Sequence, residues 1–401
     1  MATIERMTNW EDRLAQRVRN GSDTGAIASI MAETESTDVI TFSGGFPAPE
    51  TFPAAVVADL TAASLRANAC TAMQYSPTRG LGRVRDAVAG WLAGRGDPRP
   101  PMDELMITSG GIDALGLLAK SYLDPGDVVA VESPTYLGAI MAFASYQAQV
   151  VGVHTDHDGL DPNALADLLG RGTRPKLLYT IPDYQNPTGL NLAAERRSAL
   201  VDLCRRYGVL IVEDVAYREL GFQHDLRSPS LWSLGSDVVV QIGTFSKTFF
   251  PGVRLGWASA PVQVIEAMVN AKQNSDQCSG ALGQWLVEGY LRGGHMDAQL
   301  LRSQALYRAR CTATLAALEA HMPDGASWTR PDGGFFTWLS LPPGRGEATS
   351  PAQARAAGVS FVPGGLFYPG DTGRDELRLS FSCVDEQAIS RGIERLGRLV
   401  S

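Results

Sequence analysis

Lys247 is the residue of this chain best placed to do chemistry. It lies in Gly243-Thr-Phe-Ser-Lys-Thr-Phe-Phe-Pro-Gly-Val-Arg254, directly after the apolar run VVVQIG. Read as a strand, that run delivers Lys247 just past its carboxyl end, the edge at which open α/β sheets bind ligands. A lysine partly removed from water there has a lowered pKa and can serve as an amine nucleophile or Schiff-base partner. Arg254, Thr244 and Ser246 add a guanidinium fork and two hydroxyls around the same strand end, a set suited to a phosphate.

Three further segments follow predicted strands in the same way. Thr108-Ser-Gly-Gly-Ile-Asp-Ala-Leu115 joins the run LMIT to a helix, so the N–H groups of Gly111 and Ile112 can face an anion. By itself such a turn is equally well a plain tight turn, and it matches neither the P-loop nor the G-x-G-x-x-G pattern. Asp214 closes the run VLIVED, with Tyr217 three residues on. A carboxylate at a buried strand end needs a cationic or N–H partner, which is either a following helix turn that it caps or a protonated ring nitrogen. In Pro182-Asp-Tyr-Gln-Asn-Pro-Thr-Gly189, Asn186 precedes a proline and can turn its amide into a cleft.

The composition narrows the class. The 401 residues carry a net charge of −8, and only four of the 35 basic residues are lysines. An acidic chain without a basic run argues against nucleic acid and anionic membranes as partners. No apolar stretch reaches the length of a membrane span, and the N-terminus lacks a secretory h-region. Five scattered cysteines with no C-x-x-C pair suit reduced thiols, and a cytoplasmic location is expected. His154 and His157, beside Asp156 and Asp158, sit in a polar turn with no distant partner motif, so no metal site is expected. The other lysines have plain readings: Lys120 ends a helix, Lys176 opens a strand, and Lys272 lies on a helix face.

The elements that must position these residues are short β-branched runs alternating with amphipathic stretches. Strands are predicted at Leu105–Thr108, Val128–Glu132, Gln149–Val153, Lys176–Ile181, Val209–Glu213, Val238–Gly243 and Arg254–Ala260. Such continuous apolar strands belong to a sheet buried on both faces, so the fold class is α/β with a mostly parallel sheet. Long helices are predicted over Glu266 to Leu291 and Met296 to His321. Strands at Phe335–Leu341 and Glu376–Phe381 and a last helix over Asp385 to Val400 follow. The expected division is an N-terminal segment 1–45 near the small domain and cleft, a large domain 46–300, and a small α+β domain 301–401.

Taken together, these motifs resemble the pyridoxal-phosphate (PLP) enzymes of fold type I, aminotransferase class I/II, and more closely the 2-aminoadipate and kynurenine aminotransferase branch. The resemblance runs from Thr41-Phe-Ser-Gly-Gly-Phe-Pro-Ala-Pro-Glu-Thr-Phe-Pro53 to Leu377-Arg-Leu-Ser-Phe381. Between these lie Gln74-Tyr-Ser-Pro-Thr-Arg-Gly80, TSGGIDAL, Glu132-Ser-Pro-Thr-Tyr136, QNPTG, VEDVAY, TFSKTFFPGVR and Phe361-Val-Pro-Gly-Gly365. It implies a large domain whose sheet is sandwiched by helices, with PLP as cofactor. Lys247 would join the cofactor and shuttle the proton, and Asp214 would hold the ring nitrogen protonated. Tyr217 and Asn186 would bond the ring oxygen, and Tyr136 would stack on the ring. Gly111, Ile112, Thr244, Ser246 and Arg254 would cup the phosphate, joined by Tyr75 from the neighbouring subunit of a homodimer. Arg378 would clamp the substrate α-carboxylate, with Gly45 and Asn186 beside it.

The expected activity is transfer of an amino group between an L-α-amino acid and an α-keto acid. Three departures bear on it. Thr244 stands where relatives usually have Ser, and Gly-Gly-Ile replaces a Gly-Ser-Gln type of turn. Ala28 stands where some relatives that read acidic side chains carry Arg, so a simple dicarboxylate is not the expected substrate. Asp23 nearby offers a route to a cationic one or a helix cap. Two alternatives stay open: a same-fold PLP enzyme of elimination, cyclisation or oxidation, and a regulator-type effector domain. The second needs an N-terminal winged helix, for which the residues before the first motif are too few.

Overall fold

The computed structural model describes residues 10–19, 39–223, 228–370 and 372–401. The positions of Asp23 and Ala28 lie outside them, as does most of segment 1–45. In chain order the strands are β1 (Ile40–Thr41), β2 (Leu105–Thr108), β3 (Val128–Ser133), β4 (Gln149–Asp156), β5 (Gly159–Leu160), β6 (Pro175–Thr180), β7 (Leu210–Asp214), β8 (Val239–Thr244) and β9 (Gly256–Ser259). There follow β10 (Ser327–Trp328), β11 (Phe336–Ser340), β12 (Val359–Ser360), β13 (Val362–Pro363) and β14 (Glu376–Ser380).

Eight strands make the main sheet, in the order β2-β9-β8-β7-β6-β3-β4-β5. The pairs β8–β7, β7–β6, β6–β3 and β3–β4 are parallel, whereas β9 runs antiparallel to both its neighbours and β5 antiparallel to β4. Strands β2, β7, β8 and β9 are buried almost throughout, as the apolar runs of β2, β7 and β8 require, whereas β4 buries only Val153 fully. The helix Ala194–Tyr207 ends where Gly208 takes a left-handed conformation, φ 68°, that a side chain would strain.

A second, antiparallel sheet of order β10-β11-β14-β13 lies in the C-terminal part, where the helices His295–His321 and Glu386–Val400 pack against each other and the second of them against β1 and β12. Asp385 caps the last helix through the N–H of Ala388. From the other end of the chain, β1 pairs in parallel with β12, and Phe42 O accepts from Ser380 N at 2.9 Å. This docks residues 40–45 against the C-terminal sheet and aims them at the main sheet's carboxyl edge.

One expected helix is two. The apolar period across Glu266–Leu291 is interrupted, and the helices Val262–Gln273 and Ala281–Arg292 flank a loop at 274–280. Asn274, Ser275, Asp276 and Gly280 favour turns over helix, and Gln277 sits at φ 66°. Lys176 opens β6 as expected, and the other two lysines do more than their plain readings. Lys120 lies in the last turn of its own helix and also sends Nζ to Ala271 O and Asn274 O at the end of a neighbouring one. Lys272 is buried, not on an open helix face.

Candidate active site

Five parallel strands end at one edge, and each hands a residue to it. Beyond β8, Lys247 Nζ donates to Gly45 O at 2.8 Å. Burial is the main cause that brings its ammonium down to about 8, helped by the charge of Arg378 and opposed by Asp214. At the end of β7, Asp214 is buried, with Oδ2 accepting from Tyr179 Oη at 2.9 Å and Oδ1 from Ala216 N at 3.1 Å. Burial pushes its carboxyl up to about 6 in spite of these donors. Tyr217 lies three residues on, its ring set edge-on against Phe335 and Phe336 at centroid distances of 5.4 and 5.6 Å. Its hydroxyl meets the side chain of Asn186, and burial raises its pKa.

Asn186 follows β6, and its Oδ1 accepts from Arg378 Nη1 at 3.0 Å. Arg378 sits on β14, opposite Trp338 and Val362, and its Nη2 donates to Ser43 O. The guanidinium lies over the rings of Phe336 at 4.4 Å and Phe367 at 4.9 Å. Removed from water with no carboxylate beside it among the described residues, it drops to about 10, and its buried Nε has no partner among them. Such a fork has spare donors for a planar anion.

The loops are stiffened from behind. Glu132, buried at the end of β3, accepts from Thr180 Oγ1 at 2.7 Å, Ile181 N at 3.0 Å and Gln185 Nε2 at 3.1 Å. Gln185 Nε2 also reaches Pro134 O at 2.8 Å, so the segment bearing Tyr136 and the loop bearing Asn186 are tied together. Tyr136 lies over Gly138, where a Cβ would come within 2.4 Å of its ring, and burial raises its hydroxyl's pKa.

Next to these stands an anion cradle. The helix Gly111–Tyr122 begins with no side chain capping it, which leaves its first N–H groups available. Gly110 has φ 107°, and a Cβ there would sit 3.1 Å from Arg254 Nη2. Arg254, itself left-handed at φ 51°, reaches Ser109 O at 3.4 Å and Ser246 Oγ at 3.5 Å. Thr244 Oγ1 donates to Ser246 Oγ at 3.0 Å. Gly111, Ile112, Thr244, Ser246 and Arg254 therefore share one rim, across the edge from Arg378.

Within one chain Tyr75 bonds no residue of this rim; its side chain is 82 % exposed, next to Met73 at 76 %. Asp156, His157 and Asp158 bring ligand atoms within 4.8 Å of one another, but Asp156 already holds Arg196 by two bonds of 2.7 and 2.8 Å. The sequence reading missed Tyr179 and the carbonyl of Ser43. A hydroxyl one residue from the end of an apolar strand was the only signal for the first, and a backbone acceptor leaves none.

A mostly parallel sheet with a lysine, a buried carboxylate, a phosphate-type cradle and, among the described residues, an arginine free of any ion pair at its carboxyl edge defines a PLP-dependent transferase. The chain belongs to the aminotransferase class I and II family, whose model matches residues 37–396. It is 36% identical to aromatic-amino-acid aminotransferase 1 of Thermococcus litoralis, over 95% of this chain and 92% of that one. It is 38% identical to the 2-aminoadipate transaminase of Thermus thermophilus, over 93% and 92%. The kynurenine aminotransferase of Pyrococcus horikoshii, solved with PMP, superposes with a TM-score of 0.91 at 34% identity, covering 98% of each chain. The chain is thus a PLP-dependent aminotransferase of fold type I. Its residues fit that cofactor: the uncapped helix start can take a phosphate, and buried Asp214 makes no direct ion pair among the described residues, a partner that a protonated pyridine would supply.

Proposed function

We propose that this aminotransferase moves the amino group of an L-α-amino acid with a neutral or aromatic side chain to an α-keto acid, working as a cytoplasmic homodimer. One observation carries the assignment of roles. Lys247, Asp214 and Arg378 meet at one carboxyl edge, and the lysine is brought down to about 8. A base near that value takes up a proton readily and gives it back near neutral pH.

Gly111, Ile112, Thr244, Ser246 and Arg254 would hold the phosphate, Tyr136 the ring face, and Asn186 and Tyr217 the ring oxygen. Asp214 keeps the proton on the ring nitrogen. The bound cofactor supplies an electron sink to substrate Cα. Arg378, steadied by Asn186 and Ser43, binds the α-carboxylate and presents Cα to Lys247. Lys247 Nζ removes the Cα proton. Gly45 O, which accepts from Nζ at 2.8 Å, keeps that amine on the substrate side. Phe336 and Phe367 screen the arginine from water, which strengthens its hold on a carboxylate. Tyr75 would complete the phosphate cup of the partner subunit. The preference for a non-acidic side chain rests on Ala28 in place of a carboxylate-reading arginine.

Single-turnover spectra test the reading. An amino donor alone should abolish the cofactor's visible band, and a keto acid should restore it. Loss of substrate without this reversible change would favour elimination or cyclisation instead. Lys247→Ala should leave PLP bound but reduce turnover to background; an active variant would refute the role of Lys247. A donor screen checks specificity, and a kcat/KM for aminoadipate or glutamate far above every neutral donor would overturn the substrate proposal.

A further inference from the structure

A cluster centred on Lys272 lies behind the anion cradle and takes no part in the roles given above. The lysine side chain is 0 % exposed. Its Nζ donates to Asp276 Oδ2 at 2.8 Å, Asp113 Oδ2 at 2.9 Å and Ser109 Oγ at 3.2 Å. Ser109 is held from several sides: its N–H donates to Asp113 Oδ2 at 2.8 Å, its hydroxyl to Asp276 Oδ2 at 2.6 Å, and its carbonyl accepts from Arg254. An ammonium taken wholly out of water is costly unless paired, and here all its partners lie in the turn or the loop behind it.

The charges explain why a lysine belongs here. Asp113 stands in the first turn of the helix whose free N–H groups face the cradle. An acid there suits the helix dipole but competes with an incoming phosphate for the same positive end. Asp113 and Asp276 are 18 % and 38 % exposed, so water screens them only in part. Lys272 pairs with both carboxylates, cancelling one of their two charges, and fixes Ser109, the residue just ahead of Gly110 and Gly111.

We infer that Lys272 is a positioning residue for the cofactor phosphate, setting the 109–112 turn and cancelling the charge of Asp113 beside it. This rests on the assignment of that turn to the phosphate. The test is titration of cofactor-depleted enzyme with PLP and, separately, with pyridoxal, which lacks the phosphate, following visible absorbance. Lys272→Met should raise the PLP dissociation constant about tenfold or more and leave that of pyridoxal within about twofold. Lys272→Met combined with Asp113→Asn should recover part of the PLP affinity, because the carboxylate left without its cation is gone; a loss of packing alone would not be rescued.

Equal weakening of both ligands, or undiminished PLP binding, overturns the inference. If Lys272→Met does not fold, Ser109→Ala should give the same PLP-selective loss at about threefold, and its absence overturns the inference too. Arg254→Ala separates the two levels. If it fails to weaken PLP selectively, the phosphate assignment falls and the role of Lys272 with it. If it does weaken PLP and Lys272→Met does not, only the role of Lys272 falls.

Discussion

Burial pushes the Asp214 carboxyl up to about 6 from an ordinary 3.8, which links the proposed cofactor contact to stability. Between these two values the folded protein keeps a proton that the unfolded chain has released. Stability from this group therefore falls as pH rises through that window and stays lowest above about 6. In the cofactor-free protein, Asp214→Asn should raise stability at pH 7.5 by on the order of 3 kcal/mol, and the gain should vanish below about pH 4. Thermal unfolding at the two pH values checks this, and an unchanged or lower Tm at pH 7.5 would contradict it. The same variant should lower kcat about a hundredfold, since the ring nitrogen loses a charged partner. Lys247, Asp214 and Arg378 are legible in sequence because each lies in a strand or at its end within a recognisable motif. Tyr179 is not, because its partner Asp214 lies 35 residues away; of the carboxylates on Lys272, Asp276 is local but Asp113 lies 159 residues away.

At the level of elements, the turn between β2 and the helix Gly111–Tyr122 carries the most constraint. Gly110 combines φ 107° with the close approach of Arg254, so any side chain meets both backbone strain and the guanidinium. Gly110→Ala should weaken PLP binding about tenfold or more, consistent with about 1–3 kcal/mol of strain thrown onto the cradle. PLP titration measures it, and wild-type affinity would show that the turn is not at the phosphate. The longer strands are readable because a sheet covered on both faces leaves its apolar runs unbroken, and their observed ends differ from expected ones by a few residues at most, whereas the two-residue strands β1, β5, β10, β12 and β13 carry no such run. The split helix is not readable in that way. Apolar residues recur on both sides of 274–280, and the turn-favouring residues between them are held by side chains: the carbonyls at 271 and 274 are taken by Lys120, and Asp276 by Lys272. A pattern read along one segment cannot see a lysine arriving from elsewhere, as Lys120 does.

For the whole molecule the open question is which chain completes each site. Tyr75 and Met73, both largely exposed near the end of the helix Ala54–Ala72, form an apolar edge beside the cradle segments. Ser76 joins this edge to the loop at 274–280 through Ser279 O at 2.9 Å. In the proposed dimer Tyr75 of one subunit serves the phosphate of the other, and subunit mixing tests that division. Dimers of Lys247→Ala alone have no working site, and dimers of Tyr75→Phe alone have sites that bind PLP weakly. A mixed dimer places the intact Tyr75 of the first chain against the intact Lys247 of the second and so rebuilds one complete site. Random exchange of equal amounts should therefore restore about a quarter of wild-type sites at limiting PLP, as twofold symmetry dictates. If Tyr75 served its own chain, mixing would produce no complete site and activity would stay at the average of the parents. A chain that sediments as a monomer while fully active would remove the need for the exchange altogether.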